Sequence, residues 1–284
     1  MRGLVIAAGV ISGVQAGAAL VASRLVVGQT DPFTLALLRY AISLAVLLPL
    51  ALRRPWPQVP RRHWLPLIAL GAAQFALMTV LLNLAVSLAP SARVSLIFAT
   101  APMITYLMSL ALGHESLLRD RALGVAACLG GVALVLGERV GAGSIWGDLA
   151  AVAAAVVLAG CNVTFRPMLG RYPALPLGVM AMAAGVATLL PISLGNGGIA
   201  ALPALDLVGW LLVAGLGTTS ALSFQAWIWA IGQVGATRIA LFLSLGPITA
   251  MALGWAWAGE PVTTLFLAGL ALVLAGLWLA YRRV

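Results

Sequence analysis

The sequence predicts an all-α, polytopic membrane protein whose ten transmembrane helices form two inverted five-helix repeats. Three observations predict this class: a composition too apolar for a globule, ten apolar stretches of bilayer length, and a second half that repeats the first. The chain of 284 residues is 63% hydrophobic and 8% charged, with a mean hydropathy of +1.10. A soluble fold of this size needs a polar shell that so few charges cannot supply, whereas lipid is as apolar as leucine. The 31 glycines suit close helix packing in a bilayer.

A span takes about 20 mainly apolar residues. Ten segments meet that length: 3–23, 33–52, 64–86, 92–112, 120–138, 146–166, 174–195, 206–230, 236–258 and 263–281. The loops between them are short, so neighbouring segments run antiparallel. Trp56, Trp64, Trp146 and Trp210 fall at segment ends, where indoles sit among headgroups.

The net charge of +9 comes from sixteen arginines and no lysine, mostly in short loops, which is a topology signal rather than a nucleic-acid surface. With the N-terminus inside, twelve arginines lie on the cytoplasmic side: Arg2, Arg53, Arg54, Arg61, Arg62, Arg119, Arg121, Arg166, Arg171, Arg238, Arg282 and Arg283. Three lie outside, namely Arg24, Arg93 and Arg139. Both termini are therefore expected in the cytoplasm of an inner (plasma) membrane. The first segment has the look of a secretory signal, but removing it would break the five-plus-five count. Cys128 and Cys161 lie in separate apolar runs and imply neither a disulfide nor a metal site.

Sliding the chain by 145 residues aligns 83–136 with 228–281 without a gap, with eleven of 54 positions identical. Arg93 meets Arg238, Pro102 meets Pro247, Glu115 meets Glu260, Gly124 meets Gly269 and Gly131 meets Gly276. An offset of 142 sets Arg24 on Arg166 and "LLP" at 47–49 on "LLP" at 189–191. The expected units are 1–141 and 142–284. Each holds an odd number of spans, so the second enters the membrane upside down. Inverted repeats of this kind build secondary carriers, with the site near midplane between the halves.

These features resemble the drug/metabolite transporter superfamily in its EamA-like branch. The resemblance rests on "LALLRYAISLAVLLPLAL" in segment 2, on "APMITYLMSLALGHE" and "GPITAMALGWAWAGE" ending segments 4 and 9, and on glycine-zippered segments 5 and 10. It covers nearly the whole chain. It implies an inner-membrane exporter of amino acids or other small metabolites, with a cavity lined from both halves. Segment 1 reads "VISGVQAG" where many relatives carry a tryptophan before serine.

Polar residues at bilayer depth face protein or water and mark candidate sites, although each can equally serve as a helix–helix hydrogen bond. Gln15, Gln74 and Asn162 sit at similar depth. Gln74 with Met78, and their aligned mates Thr219 with Ser223, are four apart and share a helix face. Thr100 and Ser244 lie within a turn of the two prolines. These eight residues are the expected substrate-binding set, a cavity of amides and hydroxyls for a small neutral, zwitterionic or amphipathic solute. Phe75, Phe98, Tyr106, Phe224 and Trp227 are candidate apolar walls, with simple packing as the competing role. Pro102 and Pro247 each remove a helical hydrogen bond, freeing the carbonyls of Phe98 and Leu243, and are the expected hinges.

All seven acids lie at or near segment ends. Glu115 is thirteen residues beyond Pro102, or ~20 Å along a helix, past the ~15 Å half-thickness of the hydrocarbon. No central carboxylate is expected to exchange a proton for a cation. Arg39 lies about two turns into segment 2, where a snorkelling or carbonyl-capping role is favoured over an anion contact, because the aligned residue is Ala181. No catalytic triad, nucleotide loop or metal cluster is written in the chain, and no cofactor is expected. The expected protein is a non-enzymatic carrier, monomer or homodimer, moving a small molecule by alternating access. Efflux of amphipathic drugs is one alternative; a non-transporting scaffold or lipid scramblase is another.

Overall fold

A computed structural model describes residues 2–114, 116, 118–137, 144–200, 202, 205–234 and 241–281. Glu115, Glu138, Arg139, Arg238, Arg282 and Arg283 lie outside them, as do the side chains of Arg2 and Arg166. Among the described residues the protein is a polytopic all-α membrane protein with ten helical passes.

The passes are α1 (Arg2–Val26), α2 (Pro32–Leu52), α3 (Arg61–Leu88), α4 (Ser91–Ala111) and α5 (Arg119–Leu136). They continue with α6 (Ile145–Leu169), α7 (Ala174–Gly195), α8 (Leu207–Val234), α9 (Leu241–Ala258) and α10 (Thr264–Tyr281). Segment ends fall within a few residues of those expected; the expected start of α9, at 236–240, is outside the described residues. Local chemistry sets these ends. Asp31 caps α2 by accepting from the backbone N–H groups of Phe33 (2.9 Å) and Thr34 (3.1 Å), with Pro32 fixing the first helical φ. Outward faces carry large apolar side chains such as Leu65, Leu207, Trp255 and Trp278, suited to lipid contact.

Small residues let the backbones meet. On α1, Gly9, Gly13 and Gly17 line one face against α9: a Cβ on Gly13 would lie 1.9 Å from the Phe242 carbonyl oxygen, and one on Gly17 2.2 Å from that of Gly246. Displaced by 142 residues, α6 presents the fully buried Ala151, Ala155 and Ala159, and α6 packs on α4. The α5–α10 contact is reciprocal. A Cβ on Gly124 would meet the Gly276 carbonyl at 2.5 Å, and one on Gly276 would meet that of Gly124 at 2.6 Å. Gly131 and Gly269 repeat this at 2.6 and 2.7 Å. Under the 145-residue offset each glycine pair becomes the other, as two-fold related halves require.

Both helices that carry the repeated proline, Pro102 and Pro247, are broken rather than gently kinked. In α4, helix runs over Ser91–Phe98, turns at Ala99–Thr100 and restarts over Ala101–Ala111 with Pro102 in its first turn. In α9, a 3₁₀ segment over Leu241–Ser244 leads into α-helix over Leu245–Ala258, with Pro247 again in the first turn. The physical reason is shared. Proline has no N–H to bond backwards, but fits the first turn of a new helix, where that bond is missing anyway. The third irregularity is a π-helical stretch, Ala72–Leu77, inside α3.

Candidate substrate cavity

Seven helices contribute to a central cavity of about 160 Å³. Polar walls come from Ser12 and Gln15 on α1, Arg39 and Tyr40 on α2, Gln74 and Thr79 on α3, Asn162 on α6, and Ser220 and Ser223 on α8. Apolar walls come from Phe75, Met78 and Leu82 on α3, Phe98 on α4, Leu158 on α6, Phe224 and Trp227 on α8, and Leu243 on α9. The lining obeys the repeat. Phe75, Met78, Thr79 and Leu82 align with Ser220, Ser223, Phe224 and Trp227 at the 145 offset, and Phe98 aligns with Leu243. Ala16 and Leu20 align with Leu158 and Asn162 at 142.

The π-helical stretch in α3 explains part of this geometry. One extra residue in a turn rotates the helix face, and here it carries both Gln74 and Phe75 to the lumen. Gln74 Nε2 approaches Met78 Sδ at 3.7 Å. Phe75 stands edge-on to Tyr40 (centroids 5.1 Å) and to Phe224 (5.2 Å), which fixes its ring between α2 and α8. Tyr40 in turn shares a 3.0 Å hydrogen bond with Thr79.

Of the eight residues expected from sequence to bind substrate, five line the cavity: Gln15, Gln74, Met78, Asn162 and Ser223. Asn162 Nδ2 donates to Thr105 Oγ1 at 3.4 Å. The other three lie elsewhere. Thr100 is buried in the α4 break, where its hydroxyl donates to the Ile97 carbonyl at 2.6 Å. Thr219 is exposed, its hydroxyl donating to the Gly215 carbonyl at 2.6 Å. Ser244 is the half-buried last residue of the 3₁₀ segment. Phe75, Phe98, Phe224 and Trp227 are lining rings. Tyr106 instead serves the α4–α5 connection, donating to Ser116 O (3.0 Å) and accepting from Leu118 N (3.1 Å).

Arg39 departs from the surface role its position suggested. Its guanidinium turns inward, Nε donating to Ser220 Oγ at 2.8 Å, with Cζ 5.4 Å from the Tyr40 ring centroid. Gln15 Nε2 donates to the same Ser220 oxygen at 3.2 Å, and Ser12 donates to the Ser223 carbonyl at 3.1 Å. Ser12 and Ser220 are not legible as site residues because short hydroxyls are common packing residues in apolar helices, and Arg39 reads as a snorkelling side chain because it has no charged mate in the second half. Thr219 stands out in the sequence because it aligns with Gln74, whereas Ser220, one residue on, aligns with Phe75.

No carboxylate is among the lining residues. Two acids at one end of the bundle hold arginines instead. Asp148 takes Arg93 in a buried two-pronged pair, and Glu260 lies 3.8 Å from Arg24 Nε. Arg24 also donates to the carbonyls of Val86 and Ala89 at the end of α3.

The EamA-like transporter family matches this sequence twice, over residues 3–137 and 145–282. A protein named as a probable terminal-alkyne amino-acid exporter from Streptantibioticus cattleyicolor is 31% identical over 245 residues, covering 83% of this chain and 77% of that one. An uncharacterized transporter from Archaeoglobus fulgidus is 26% identical over 277 residues, covering 94% and 95% of the two chains. A solved crystal structure, 22% identical, superposes with a TM-score of 0.68 over 100% of this chain and 99% of its own. With its family matched over both halves, the chain belongs to the EamA-like transporters, proteins that carry small molecules across membranes and are not enzymes.

Proposed function

We propose that the protein is a secondary carrier that exports amino acids or closely similar small metabolites by alternating access through the central cavity. The observation that carries this reading is the lining: aligned positions from both halves line one cavity, and Gln15, Gln74 and Asn162 are among its walls. A scaffold or scramblase would not need polar residues gathered around one shared lumen. The cavity is close to the ~150 Å³ that holds benzene and below the ~300–1,000 Å³ of drug-sized sites. Its size favours a small solute. The relative named as a probable amino-acid exporter supports the same cargo class.

The two units are 1–141 and 142–284, in opposite orientations, with both termini in the cytoplasm of an inner membrane. Arginine placement supports this sidedness. Arg53, Arg54, Arg61, Arg62, Arg119 and Arg171 are exposed at one end. At the other, Arg24 and Arg93 are drawn into pairs with Glu260 and Asp148.

A second reading, efflux of amphipathic drugs, is favoured by the lining rings of Phe75, Phe98, Phe224 and Trp227. Counterflow in proteoliposomes against a panel of amino acids separates the two. Uptake of at least one amino acid is expected; silence across the panel, with uptake of an amphipathic cation, overturns the amino-acid reading.

A further inference from the structure

We infer that Arg39, completed by the Ser220 hydroxyl, is the carboxylate-binding point of the cavity, so that the cargo enters as a carboxylate. This rests on the carrier reading above and names the group by which the cargo is held.

Three observations converge on Arg39. A guanidinium inside a span is costly and is normally paired. Arginines at the bundle end have acids: Arg93 has Asp148 and Arg24 has Glu260. Arg39 has no ion pair among the described residues; its one hydrogen bond there is from Nε to Ser220 Oγ. Its terminal nitrogens, part of the planar fork that matches a carboxylate, make no hydrogen bond among the described residues, and Arg39 lines the lumen.

Ser220 points to the same ligand. A hydroxyl has two acceptor sites and one proton. Both acceptor sites are occupied, by Arg39 Nε at 2.8 Å and Gln15 Nε2 at 3.2 Å. What Ser220 retains is a donor, and Ser220 is itself a buried lining residue. The α2–α8 wall therefore presents donors and a positive charge, and an acceptor with negative charge satisfies both.

Elsewhere in the lining, Gln74 and Asn162 each donate one amide N–H, to Met78 and Thr105, and keep a carbonyl oxygen as an acceptor. With Trp227 and Phe98 nearby, these neutral acceptors suit an ammonium or an apolar tail without demanding a net cation. The cargo class is thus a small carboxylate with an apolar side chain, its amine held by neutral groups.

The test measures binding to the purified full-length protein by the emission of its tryptophans, Trp227 being in the cavity wall. The probes are L-leucine and L-phenylalanine, their carboxamides, and the amine-free acids isovalerate and phenylacetate. Wild type is expected to bind the acids at least about tenfold tighter than the matching amides, the discrimination of one charge-assisted contact. Arg39→Gln should erase that ratio, Arg39→Lys should keep part of it, and Ser220→Ala should reduce it. A structural role for Arg39 would weaken acids and amides alike and leave the ratio unchanged, which overturns the inference. Equal binding of acids and amides by wild type, or of none of the acids, overturns it too, and this comparison stands even where Arg39→Gln does not fold. Binding of isovalerate or phenylacetate without either amino acid upholds the carboxylate point while counting against the amino-acid reading. Binding of amino acids with no acid-over-amide preference does the reverse.

Discussion

Arg93 and Asp148 are joined across α4 and α6 by two short hydrogen bonds, Nε to Oδ1 at 2.7 Å and Nη2 to Oδ2 at 2.6 Å. Both side chains are buried, at 8% and 3% exposure. Two charges so placed are stable together and expensive apart. Asp148→Asn leaves a buried guanidinium short of its counter-charge, so a loss of about 3–5 kcal/mol is expected. Replacing both, as Arg93→Met with Asp148→Leu, should return most of it. Thermal unfolding of the detergent-solubilised protein checks this, and a double variant no better than the single would show that the pair is not the source.

Glu260 holds the start of α4 from the α9–α10 connection. Its carboxylate accepts from Ser91 N at 2.7 Å, Ser91 Oγ at 2.8 Å and Ala92 N at 3.3 Å. A carboxylate at a helix N-terminus satisfies orphan donors and meets the positive end of the dipole. Glu260→Ala should cost about 1–3 kcal/mol, chiefly as local opening of Ser91–Phe98. Hydrogen exchange over that segment is the measurement; unchanged protection there counts against the cap.

These two pairs mark the boundary of what is legible in the sequence. Apolar length, arginine placement and the repeated Pro–Glu phrase expose the ten spans, because bilayer thickness and helical rise are fixed quantities. Depth along a helix is equally legible, and it singles out Gln15, Gln74 and Asn162. Rotation about the helix axis is not. Thr219 and Ser220 differ by one position and about 100°, and only packing against α2 decides that Ser220 enters the cavity. A π-helical turn in α3 shifts that phase again. Arg93 and Glu260 read as a topology charge and a span-end acid, since their partners are 55 and 169 residues away.

Close approach of α1 and α9 gives a third prediction. Gly13 and Gly17 admit backbone oxygens of Phe242 and Gly246 where a Cβ would stand. Gly13→Val and Gly17→Val should each cost at least about 1–3 kcal/mol by forcing the helices apart. Gly3→Val, where nothing lies within 4 Å, should be silent and serves as the control. Melting temperatures decide, and a stable Gly13→Val protein would contradict the packing.

Phe98 and Leu243 tie the helix breaks to the cavity. Each stands four residues before its proline, each adjoins a break, and both line the lumen from aligned positions. A helix interrupted beside a cavity has fewer backbone bonds to break when its two parts move, and its freed carbonyls face protein or lumen water. Hinges are set at such terminal positions, where a few residues absorb the change in backbone angle. Restoring an N–H with alanine should let helix run through the turn and stiffen it. Pro102→Ala and Pro247→Ala are therefore expected to slow counterflow severalfold, with normal insertion and with binding of the acid probes retained, because neither proline lines the cavity. The paired design makes the readout specific: transport falls while affinity holds. Wild-type counterflow in both variants would refute the hinges, and loss of binding in step with transport would reassign the prolines to shaping the site.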